Sequence, residues 1–262
     1  SIDVIYEPSL IQVCCDDGTN FIDQACKKHN VRCVRVTKSD DFTSSAGFEK
    51  AIRNIQTFSD VVWYSPPCTG GSAWQHINCT KGDDTRDKIE GHRTLFWKLW
   101  ESFEKMFQHI EKVGARVVME LPDCCDYWRD EKLIKFFRTK GFQETTFDGC
   151  MHGLVAKFGK HKGIPIKKTW RLMSYRSSIG SFLNTRCDGR HDHTPAQGQN
   201  TKFVECYTPG ICDLIMKAFK SDRARNYECA CAPTSFKGST TQVRSPPLGN
   251  RAVTIRTSVC VA

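Results

Sequence analysis

Along the chain, short continuous apolar runs alternate with segments whose apolar residues recur every three or four positions. Ser9-Leu10-Ile11-Gln12-Val13-Cys14-Cys15 reads as a buried strand, stopped by a polar turn over 16–20. A helical stretch over 21–29 leads into a β-branched strand over 31–37. A second helix, 47–58, precedes an apolar strand, 60–64, which ends at Ser65-Pro66-Pro67-Cys68-Thr69-Gly70-Gly71-Ser72. Two prolines and two glycines cannot continue a central strand, so this is a rigid loop at a strand's carboxyl end. Over 90–113, Leu95, Phe96, Leu99, Phe103, Phe107 and Ile110 fall on one face of a long helix. A strand over 115–122, a helix over 127–140 and two strands over 145–154 and 169–175, joined by a basic loop, complete the regular pattern.

Strands alternating with helices predict an α/β fold: a mostly parallel sheet, covered on both faces, that ends in an antiparallel strand pair. Ligands of such sheets bind outside the carboxyl ends of the strands, so the loops over 14–20, 65–72 and 120–125 are expected to line one crevice. Beyond 177 the pattern weakens. Residues 186–199 are polar and rich in Gly and His, 208–220 reads as a helix capped by Thr208 with Pro209 in its first turn, and 221–262 is a basic tail expected to be partly disordered. The expected division is a core over 1–176 and a small basic part over 177–262.

Charge sharpens that division. The chain of 262 residues carries a formal +9, but residues 1–150 hold 20 Lys and Arg against 23 Asp and Glu, and 151–262 hold 18 against 6. The excess of +12 in the second part suits either a polyanion-binding surface or a solvated basic face. No apolar stretch approaches the roughly 20 residues that span a bilayer, and no basic-then-apolar leader opens the chain. An intracellular protein, nuclear or cytoplasmic, is expected, and with it reduced thiols for most of the 15 cysteines.

Two residues in the expected crevice carry chemistry. Cys68, held by prolines at a strand mouth, is either a positioned nucleophile or a small buried apolar side chain. Glu120 ends the run Arg116-Val117-Val118-Met119, directly before Leu121-Pro122. Partly desolvated there, a carboxyl holds its proton more tightly and can donate it; the alternative is an ordinary loop carboxylate in a salt bridge.

The loop Ser65-Pro66-Pro67-Cys68-Thr69-Gly70-Gly71-Ser72 resembles the G-P-P-C-Q-G-F-S motif of the cytosine-5 DNA methyltransferases. Met119-Glu120-Leu121-Pro122 is similar to their E-N-V motif, and Gly163-Ile164-Pro165-Ile166-Lys167-Lys168-Thr169-Trp170-Arg171 to their G-V-P-Q-x-R-x-R segment, in the family's order. The chain also resembles the methyltransferase-like domains of some retroelements. The resemblance, over roughly 9–176, implies a class I S-adenosylmethionine-dependent fold and a cytosine flipped into the crevice. Cys68 would attack C6 and Glu120 would protonate N3, with Lys168 or Arg171 standing for the family's arginine. Cys14, Cys15, Asp16, Asp17 and Gly18 would line the cofactor pocket with Ser65, Pro66 and Pro67, Asp40 or Asp41 would take the ribose hydroxyls, and Asn250, in a segment similar to the closing G-N-x-V motif, would return to that pocket. The first loop departs from the family, with one glycine and added acids.

Lys157, Lys160, Lys162, Lys167, Lys168, Arg171 and Arg176 form a run without a single acid, expected to contact phosphates of DNA, with RNA not excluded. Cys187, His191 and His193 are spaced as candidate Zn2+ ligands, with Cys206 as a fourth, or as a polar loop. Two other readings stay open: an amino-group or RNA methyltransferase on the same fold, and an inactive nucleic-acid-binding relative.

Overall fold

The computed structural model describes residues 7–231 except Thr19, with the backbone alone over 223–231. Of the expected disordered tail, 221–231 continue the last helix, and the remainder, Asn250 included, lies outside the described residues. In order, the elements are β1 (Ser9–Cys15), α1 (Phe21–Lys28), β2 (Arg32–Thr37), α2 (Ser45–Ile52), β3 (Val61–Tyr64), α3 (Gln75–Asn78) and α4 (Asp83–Val113). Then come β4 (Arg116–Pro122), α5 (Glu131–Lys140), β5 (Gln143–Asp148), β6 (Thr169–Tyr175), α6 (Ile179–Leu183), α7 (Gln199–Phe203) and α8 (Pro209–Cys231).

Where boundaries differ from the periodicity, a polar contact explains it. Helix α2 stops at Ile52 because the buried Asp60 carboxylate accepts the N–H groups of Gln56 and Thr57, both at 2.8 Å, and curls the chain into a turn. The same carboxylate takes the Ser9 N–H at 2.8 Å and so fixes the start of β1. Helix α4 begins seven residues before the expected 90, after Gly82 at φ 121°. Its first turn is polar and exposed, invisible to apolar periodicity, but Asp83 and Asp84 there complement the helix dipole. Residues 126–129 form a 3-10 turn, and α5 starts afresh from Asp130, whose side chain caps Lys132 N at 2.8 Å.

The sheet has the order β2-β1-β3-β4-β6-β5. Strands β1 to β4 pair in parallel, and β6 inserts antiparallel between β4 and β5. This is an α/β fold with a six-stranded mixed sheet, compatible with a Rossmann-like arrangement. Alternation along β4 sends Val117, Met119 and Leu121 into a core with α2, α4 and α5, where Trp100, Phe103 and Phe107 are buried. Val118 faces the other core, built with α1, α6 and α8 around Ile179, Leu183, Ile211 and Ile215. Residues after 176 thus supply part of the layer that covers the sheet's second face. Among the described residues, no helix is long and apolar enough to cross a membrane.

Candidate active site

The loop after β3 is fixed at both ends. Ser65 N–H donates to Val13 O at 3.2 Å, tying it to the end of β1, and Gly71 N–H donates to Cys68 O at 3.0 Å in a 3-10 turn over Thr69–Gly71. Gln75 Nε2 and Arg93 Nε reach the carbonyls of Thr69 and Gly70 at 2.9 and 3.2 Å. Both glycines serve close approach: a Cβ on Gly70 would collide with the Tyr127 hydroxyl and the backbone of α4, and one on Gly71 would come within 2.8 Å of Cys125 Sγ. Cys68 is therefore held half-buried at the strand mouth by backbone contacts, beside Cys125. Just beyond, Trp74 and Ile77 are exposed.

Glu120 lies one strand over, near the end of β4, and alternation turns it away from Met119 and Leu121. It is buried, and the Tyr207 hydroxyl donates a hydrogen bond to its Oε2. Tyr207 in turn accepts from Trp63 Nε1 at 3.2 Å, lies 3.3 Å from Ser65 Oγ, and sets its ring edge-on to Trp63. Trp170, on β6, is tilted against it with centroids 5.9 Å apart. An aromatic ring of the chain itself thus occupies an aromatic-walled slot that ends at the carboxyl group.

Burial is the largest influence on both groups. It pushes the Cys68 thiol up, opposed by the Lys168 ammonium and reinforced by Glu120. It also raises Glu120, against the Lys168 ammonium and the hydrogen bonds from Tyr207 and Ser65. The arrangement is an acid that keeps its proton longer than an exposed carboxyl, a thiol that needs a cation to ionise, and a lysine that acts on both.

Of the two cations expected at this site, the sheet brings in Lys168 and turns Arg171 away. Lys168 Nζ donates to Val204 O at 2.6 Å and lies 4.7 Å from the centroid of Trp170. Arg171 pairs with Leu121 in the register and so points to the opposite face, where it bonds Asp123 at 2.7 Å and stacks on Trp128. Arg176 is also displaced: β6 runs antiparallel, so Tyr175 is level with Val117 near the start of β4, and Arg176 lies at the far end of the sheet from the crevice. Lys157, Lys160, Lys162 and Lys167 are exposed on the connection between β5 and β6, at the crevice end, where Val155 bridges Pro165 as a hairpin.

At the end of β1, Cys14 adopts φ 66° beside a register shift, and the carboxylates of Asp16 and Asp17 are exposed. Asp17 accepts from Ser39 N at 3.1 Å, and Arg35 donates to the carbonyls of Asp16 and Gly18. Asp40 pairs with Lys50 at 2.8 Å and caps Thr37 N, while Asp41 accepts from Thr43 N and Oγ1. Both serve the turn between β2 and α2. Pro66 is buried and Pro67 exposed.

The fourth member of the Cys/His group is not Cys206, which is exposed with Asp16, Glu205 and Lys168 as its charged neighbours. Cys187, His191 and His193 instead gather with Cys150, on the 3-10 turn after β5. Sequence reasoning also missed Tyr207. Its one signal is position: it directly precedes the helix cap Thr208, where an apolar residue commonly packs inward. The sequence matches no protein-family model and no curated protein.

Proposed function

We propose that the protein is an S-adenosylmethionine-dependent cytosine-5 methyltransferase acting on DNA. The observation that carries this reading is the convergence of Cys68, buried Glu120 and Lys168 at the carboxyl ends of β3 and β4, with aromatic side chains around the carboxyl group. A flat ring that places its face against Trp63 or Trp170 and a ring nitrogen at Glu120 would present the carbon on the opposite side of the ring to Cys68. The Lys168 ammonium favours the thiolate, whose sulfur forms a bond to C6. The electron pair of the C5–C6 bond moves into the ring as the Glu120 proton passes to N3, which leaves C5 nucleophilic. Once C5 carries the added methyl group, loss of its proton to a base restores the C5–C6 double bond and expels the Cys68 thiolate, and N3 returns its proton to Glu120.

The donor set at the end of β1 suits the cofactor in part. Exposed Asp16 fits its ammonium group, whereas Asp17, Asp40 and Asp41 are already engaged with Ser39, Lys50 and Thr43 respectively. When bound there, the cofactor would supply an electrophilic methyl group for C5. The exposed lysines of the β5–β6 connection would meet phosphates and hold the strand over the crevice.

The test is covalent trapping on DNA that contains 5-fluorocytosine, in the presence of S-adenosylmethionine. Fluorine at C5 cannot leave as a proton, so the Cys68 adduct persists. A stable adduct with the native chain and none with Cys68→Ala is the expected result; no adduct, or an equal one from the variant, removes the nucleophile. The bond from Tyr207 to Glu120 favours a second reading, a nucleic-acid-binding module without turnover. That reading takes over if titration calorimetry detects no S-adenosylmethionine binding with or without DNA.

A further inference from the structure

We infer that Cys150, Cys187, His191 and His193 form a closed Zn2+ site that fastens the polar segment after α6 to the turn that ends β5. Each residue offers one ligand atom, and the four atoms lie within 4.8 Å of one another. Cys187 Sγ is 3.7 Å from His191 Nε2 and 3.4 Å from His193 Nε2. In a tetrahedral site with ordinary zinc–sulfur and zinc–nitrogen bonds, those edges measure about 3.5 Å. Two thiols and two imidazoles are a donor set that zinc takes readily, and four protein ligands leave no open position, the mark of a structural rather than a catalytic site.

The surroundings are built for a ligand cluster. Gly189, at φ 78°, directs its N–H to Cys187 Sγ at 3.3 Å, a contact of the kind that orients a ligand sulfur. The Cys187 backbone is itself anchored, since its N–H donates to the fully buried Asp148 carboxylate at 2.8 Å. Asp148 also accepts from Arg186 and Thr169, so one carboxylate joins β5, β6 and the ligand segment. Downstream, Thr194 N–H donates to Pro165 O at 2.9 Å, which brings the segment against the base of the lysine hairpin. A loop this polar has little apolar surface with which to hold such a position, and a metal supplies the cross-link.

The inference stands whether or not Cys68 turns over, because its readout is the metal. Full-length protein purified without chelator and under reducing conditions should hold about one zinc per chain. Co2+ exchanged into it should give the intense visible bands of a tetrahedral site and thiolate-to-metal charge transfer in the near ultraviolet. Cys150→His, which keeps four ligands but removes one sulfur, should keep a tetrahedral spectrum and lose about half of the charge-transfer intensity. Cys206→Ala should change neither stoichiometry nor spectrum. The inference fails if zinc added to the reduced protein is not retained through desalting, if the Cys150→His spectrum equals that of the native chain, or if Cys206→Ala removes the metal.

Discussion

At the residue scale, the environment of Glu120 makes a prediction separable from catalysis. Burial raises its pKa above the unfolded value, so the stability that its neutral form contributes is complete below the unfolded pKa and is lost as pH rises through the raised one. Glu120→Gln keeps the shape and an acceptor for Tyr207 at every pH. The Tm of the variant relative to the native chain should therefore rise as pH increases from about 4 toward neutrality. A constant difference across that range would mean that the carboxyl is not destabilised by burial. Cys68 and Glu120 were legible in the sequence because each stands where an apolar strand is broken by proline, a local signal. Tyr207 was not, because its partner is 87 positions away and nothing near it in the sequence names a carboxylate. Cys150 was missed for the same reason.

At the scale of elements, the turn over Thr69–Gly71 decides where Cys68 can be. It lies so close to α4 and Tyr127 that Gly70→Ala should cost about 1–3 kcal/mol through overpacking and change the alkylation rate of Cys68 by iodoacetamide. Gly91→Ala, on α4 with open space around its added methyl group, should instead stabilise by up to about 1 kcal/mol and leave alkylation unchanged. Equal effects of the two substitutions on urea denaturation would remove close packing as the explanation. Strand β6 shows why element-level reading found the basic run but not its sorting. A period of two sends Arg171 to the face opposite Trp170, and the antiparallel direction takes Arg176 to the other end of the sheet. The antiparallel pair at the end of the sheet was legible in two directly linked strands, as were the strands themselves, β1 above all, but the register that sorts the side chains between faces is not written in a local window.

At the scale of the whole molecule, the charge excess becomes a geometric statement. The lysines on the β5–β6 connection lie at the crevice end, and Arg176 does not. Replacing Lys157, Lys160, Lys162 and Lys167 with Ala should lower the slope of log affinity for DNA against log salt by about 0.9 for each phosphate that is no longer neutralised, while Arg176→Ala should leave it unchanged. Fluorescence anisotropy across a salt series measures both, and an equal reduction from Arg176→Ala would refute a one-ended surface. The segment that follows α7 adds a different constraint. Because the Tyr207 ring fills the aromatic-walled slot that an incoming ring would need, the two would compete for one space, and the observed affinity for a base would equal the intrinsic affinity scaled by the fraction of molecules in which the tyrosine is withdrawn. Each 1.4 kcal/mol spent on withdrawal would weaken binding about tenfold. Such a toll falls equally on every base, but only those already unpaired or poorly stacked have binding energy left after it, so self-occupancy would act as a filter for strained or single-stranded sites.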